Sequence, residues 1–198
     1  MEIGVDPRWK QLMEQGADCS CGQRHVGLID LAFLQPADWK DAPAKEPNEN
    51  LRMDGDFFSE EFAVRQGKYF AIRCVMPLPI AGCSPPASPL VVWASVEKDS
   101  FEKLVAEPRP QLKDPPVQFA ARLVNRIGGY PDTLGLMGAA FPMPDSPPLL
   151  VLAKNADPEA PMHQLVQEHR DGASFDRLLE VYAAQGHDMR GAFAGTKQ

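Results

Sequence analysis

At 198 residues, 44% hydrophobic and 24% charged, the chain is long enough for one domain with its own apolar core. A net charge of −7 without any Lys/Arg cluster argues against a nucleic-acid surface, so no nucleic-acid partner is expected. No apolar run reaches membrane-spanning length, and MEIGVDPRWK lacks a signal peptide's apolar core; no membrane contact, reduced cysteines and a cytoplasmic location are expected.

Twenty prolines, about twice the usual share, favour loops and short strands over a helical bundle. The first element is a short helix: Asp6 caps it, Pro7 takes the first position, Trp9, Leu12 and Met13 form its apolar stripe, and Gly16 ends it. Asp41–Asp56 has no period and reads as a long surface loop. Phe62–Val64 and Tyr69–Val75 are β-rich, with a Gln66-Gly67 turn that predicts a hairpin. Pro77 and Pro79 are expected to end its pairing or confine it to an edge. PLVVWASV, centred on Trp93, predicts a strand buried on both faces.

Asp99-Ser-Phe-Glu102 has capping-box spacing, and Phe101, Leu104 and Val105 predict a helix stopped by Pro108. Alternation over Val117, Phe119, Ala121 and Leu123 predicts a strand, GGYPDT a turn, and LGLMGAAF and PLLVLA two further strands. Two helices close the chain. One carries the stripe Met162, Leu165, Val166, His169 and stops at Gly172. The other is capped by Ser174, carries Phe175, Leu178, Leu179 and Tyr182, and stops at Gly186. Strands in hairpin order with helices near both ends predict an α+β fold: a single domain with a mainly antiparallel sheet. Its expected divisions are an N-terminal helical extension over 1–18, the domain over 19–185, and a frayed tail over 186–198.

Several stretches recur in a known order: CxCGxxHxGL at Cys19–Leu28, YFAIR at Tyr69–Arg73, VWASV at Val92–Val96, YPDTLGL at Tyr130–Leu136 and MHQLVQEHRDG at Met162–Gly172. Together they resemble a bacterial family of uncharacterised proteins known as domain of unknown function 2199, over about Cys19 to Tyr182. The resemblance implies a shared fold and a histidine at position 163, and it implies no activity. The chain departs from the family pattern at Phe119-Ala120-Ala121, where an aromatic Gly-Trp pair is expected.

Chemistry concentrates in Asp18–His25, DCSCGQRH. Cys19 and Cys21, two apart, project to one face of extended chain, and Gly22 allows His25 to fold back towards them. Tetrahedral zinc needs one more ligand, and His163 at the start of its helix is the candidate; His169, some 240° around the same helix, cannot share an ion with it. The plain alternative is a turn holding two reduced thiols. Cys74 reads as a small core residue, Cys83 as incidental, and Trp39 as partly exposed. Asp132 reads as a turn residue before a general base. With no GxSxG, HExxH, GxGxxG or phosphate loop, the expected function is a non-catalytic binding or accessory protein with a small structural zinc site and a protein partner. A toxin-neutralising role is one version, in which the acidic surface steers a basic partner. The competing expectation is a metal-dependent hydrolase that activates water on Cys19, Cys21 and His25.

Overall fold

A computed structural model describes residues 6–83, 87–106, 117–144, 146–154 and 163–195. Helix α1 (Pro7–Glu14) begins as its sequence requires, with the Asp6 carboxylate accepting from the Arg8 backbone N–H. It buries Trp9 and Leu12 in the main core, and Trp9 meets Phe175 edge-on at 6.4 Å. Helix α1, read from sequence as part of an N-terminal extension, therefore packs onto the domain. A small hairpin follows, β1 (Ala17–Asp18) with β2 (Arg24–His25).

The large sheet holds β3 (Leu31–Ala32), β4 (Phe57–Phe58), β5 (Phe62–Arg65), β6 (Tyr69–Leu78), β7 (Ser88–Val96), β8 (Phe119–Leu123), β9 (Met137–Phe141) and β10 (Leu149–Leu152). Five of them close a ring: β6 pairs β7, β7 pairs β8, β8 pairs β9, β9 pairs β10, and β10 returns to β6. All pairings are antiparallel except β3 on β7 and β10 on β6, so the mainly antiparallel α+β expectation holds. The parallel β6–β10 seam is short, with Leu149 opposite Val75.

The long β6–β7 hairpin organises both cores. Phe70, Ile72, Cys74, Met76 and Leu78 of β6 join Leu90, Val92, Ala94 and Val96 of β7 in the main core. The opposite face places Ala71 and Trp93 with Trp39, Phe58 and Ala63 in a second, smaller core. Trp93 is thus buried on the strand read as two-faced. Trp39, expected to be partly exposed, is only 3% exposed, because the loop carrying it folds across β6–β7 and its ring meets Phe58 edge-on at 5.7 Å.

Pro77 does not end the pairing. It sits opposite Pro89 within the hairpin, at a position where neither residue needs an N–H to point across the ladder. Helix α2 (Lys98–Ala106) starts one residue before Asp99, which lies in its first turn and not at its cap, and packs Phe101 on Phe70 at 5.3 Å. Pro108 and Met162 lie outside the described residues.

Helices α3 (His163–Asp171) and α4 (Phe175–Ala184) cover the main core, the latter capped by Ser174 as its sequence implies. The Tyr182 hydroxyl accepts from the Ile29 backbone N–H at 3.0 Å and meets Ser88 Oγ at 3.1 Å, joining α4 to β7 and to the chain before β3. Part of the segment read as a frayed tail carries regular structure. A 3-10 turn over Arg190–Phe193 buries Phe193, and Met189 is fully enclosed. No helix among the described residues is long and apolar enough to cross a membrane.

Candidate metal centre

The β1–β2 hairpin presents the octet DCSCGQRH as a loop. Ala17 pairs His25 and Asp18 pairs Arg24, while the Cys19 N–H donates to Gln23 O and the Gly22 N–H to Cys19 O, both at 2.9 Å. Gly22, at φ +83°, takes the left-handed conformation that reverses the chain between Cys21 and His25. The loop aims a backbone donor at sulfur: Cys21 N lies 3.4 Å from Cys19 Sγ. Such a bond favours the thiolate form needed of a ligand.

The fourth group comes from beyond α4. Gly186 ends that helix with φ +88°, and the His187 N–H donates to Tyr182 O at 2.9 Å. Two hydrogen bonds then join the segments: Ser20 N–H to Asp188 O at 2.9 Å, and Asp188 N–H to Ser20 Oγ at 3.1 Å. Asp188 also accepts from the Arg190 backbone and guanidinium, which hold its carboxyl down at about 2. The chain carrying His187 is therefore fixed from both sides.

As a result Cys19 and Cys21 Sγ and one ring nitrogen each of His25 and His187 all lie within 4.8 Å of one another. Cys21 Sγ is 3.3 Å from His25 Nε2, Cys19 Sγ is 4.0 Å from His187 Nδ1, and the two imidazoles stand at 88° with centroids 5.3 Å apart. Zinc bonded to sulfur at ~2.3 Å and nitrogen at ~2.0–2.1 Å has tetrahedral edges of about 3.3–3.8 Å, so the four atoms need only a slight contraction. Cys19 is nearly buried and Cys21 exposed. Burial pushes the Cys19 thiol up, whereas the hydrogen bond from Cys19 and a backbone bond at Gln23 hold Cys21 below the ordinary thiol value.

Three of the residues singled out from sequence thus meet, and His163 does not join them. It begins α3 and lines a separate hollow with Leu152, Lys154, Val166, Gln167 and Arg170. His187 takes the fourth corner because the ladder between Ser20 and Asp188 draws the segment after α4 against the hairpin. The sequence carried one usable signal. Of four histidines, two lie on α3, which leaves His25 and His187 as the pair free of helical spacing.

The other residues weighed from sequence have structural partners. Asp132 accepts from the Leu134 N–H, and Thr133 accepts from Ile127 N–H while donating to Asn125 O. Cys74 is fully buried, its thiol pushed well up by desolvation, and Cys83 is a free, half-buried thiol.

A family model described as an uncharacterized protein conserved in bacteria (DUF2199) matches residues 18–173, most of the chain. The chain belongs to this family. The DUF2199 match covers Cys19, Cys21 and His25, while His187 lies beyond its end. No curated protein and no solved structure matches the chain.

Proposed function

We propose that this DUF2199 protein is a non-catalytic binding or accessory protein in which Cys19, Cys21, His25 and His187 hold a structural zinc ion. The observation that carries the reading is the completed donor set: two thiols and two imidazoles within 4.8 Å, all four from the protein. Soft sulfur with imidazole at four tetrahedral corners suits zinc above other common divalent ions. A site with four protein ligands leaves no position for an activated water, which counts against the hydrolase reading. The ion would also join segments 168 residues apart, a structural task.

Metal content of tag-free protein tests this. About one zinc per chain is expected, lost in Cys19→Ser/Cys21→Ser and in His187→Ala and kept in His163→Ala. Wild-type protein without zinc after purification in zinc-supplemented buffer, or full zinc in His187→Ala, defeats it.

A further inference from the structure

Among the described residues the ring of strands leaves an apolar face uncovered. On β8, β9 and β10 the register aligns Ala120 with Ala139 and Ala139 with Val151, and sets Arg122 opposite Met137. Their neighbours Ala121, Ala140, Leu150 and Leu152 point to the main core, so this set points outwards. Met137 is 45% exposed and Val151 37%. On the β6–β7 side the equivalent outward face is covered by Trp39 and Phe58, whereas among the described residues this part has no such cover.

Beside Met137 the face falls into a trough of about 300 Å³ between the end of β7 and the strands β8 and β9. Lys68, Lys98 and Arg122 line it, with Ser95 and a single acid, Glu97. Among the described residues Lys68 and Arg122 form no salt bridge, and Lys98 reaches only Glu102, across an exposed 3.8 Å. In a chain of net charge −7, three cations against one acid, Glu97, around a trough of mixed polar and apolar lining form a local reversal of sign. Methionine and arginine are also the residue types that protein interfaces concentrate.

We infer that the outer face of β8–β10, with its trough at Lys68, Lys98 and Arg122, docks an acidic, apolar-bearing segment of a partner protein. Apolar side chains of that segment cover Met137, Ala139 and Val151, and its carboxylates meet the three cations. Each of these strands has a neighbour on both sides in the ring, β10 meeting β6 at Leu149 and giving its Leu152 N–H to His169, so the partner is read by this face and not by strand addition. The inference rests on the binding-protein reading above and is independent of the ion.

A photo-crosslinking amino acid at position 137, in the cells that naturally make the protein, tests it when the captured segment is sequenced and its synthetic peptide is titrated onto the purified full chain. The expected segment belongs to another protein, is net acidic and carries apolar side chains. Its peptide binds at least tenfold more weakly to Lys98→Glu/Arg122→Glu, and binding weakens as salt rises. Unchanged melting temperature and zinc content in that variant separate loss of docking from loss of fold or of the ion. A neutral or basic segment, a cross-link to a second copy of this chain, no protein adduct at all, or equal peptide binding by the charge-reversed variant overturns the inference. Met137→Gln, which leaves every charge in place, is expected to weaken the peptide as well.

Discussion

Two buried polar side chains show how single residues hold this fold. Asn125, 1% exposed, accepts from the Trp93 backbone N–H at 2.6 Å and donates to Gln35 O at 2.9 Å, and its own carbonyl accepts from Thr133. Asn125→Ala would leave a buried donor, the Trp93 N–H, without a partner at about 1–3 kcal/mol, and a part-buried acceptor, Gln35 O, at about 1 kcal/mol. A loss of roughly 2–4 kcal/mol in chemical denaturation is the expected result; a loss under half a kcal/mol would count against the network. His169 spans the β6–β10 seam. Its Nε2 accepts from the Leu152 N–H at 3.2 Å and its Nδ1 donates to Pro77 O at 2.8 Å, which requires the neutral ring. Burial accordingly lowers its pKa, with the Pro77 bond opposing in part. The unfolded chain then binds the proton first as pH falls below about 6.5, so stability drops between that value and the lower folded pKa. The melting temperature is expected to fall on acidification through this window, and less steeply in His169→Gln, compared at matched salt. Parallel curves for the two proteins would remove His169 as the cause.

At the scale of elements, ring closure depends on a glycine the strand pattern gave no reason to notice. Gly138 in β9 lies between Ala121 and Leu152, and a Cβ there would come within 2.5 Å of Val151 O and 3.2 Å of Leu152 Cα. Both contacts are to backbone, which cannot move aside without opening the β9–β10 pairing. Gly138→Val is therefore expected to cost more than about 3 kcal/mol, the upper end for overpacking. Ala139→Val, pointing outwards on the next residue, should cost little; equal melting temperatures for the two variants would contradict the packing. The prolines of β6 and β7 are tolerated for a related reason. Pro77 faces Pro89 where the ladder needs no N–H, and Pro77's carbonyl is taken up by His169.

Across the whole molecule, the Cys19, Cys21, His25 and His187 cluster joins the beginning of the domain to its end. The Ser20–Asp188 ladder already aligns the two segments, and a bound ion would add the stabilisation of any ligand selective for the folded state, about 4 kcal/mol at a thousandfold excess over Kd. Removing metal with a strong chelator is expected to lower the melting temperature of the wild type but not of Cys19→Ser/Cys21→Ser. Hydrogen exchange should then quicken in residues 17–25 and 187–193 while the β6–β7 hairpin stays protected. Exchange that quickens uniformly, or not at all, would contradict a local staple.

The sequence by itself determined what depends on near neighbours. Asp6-Pro7 started α1, Gln66-Gly67 made the β5–β6 hairpin, Ser174 capped α4, and the Asp18–His25 octet held three of the four clustered donors, because caps, turns and apolar periods act within a few residues. Closure of the ring, the burial of Trp39 and the choice of His187 over His163 were decided only by tertiary structure. Each depends on a partner far along the chain. Ser20 meets Asp188 across 168 residues, and no period or spacing in either segment encodes that meeting.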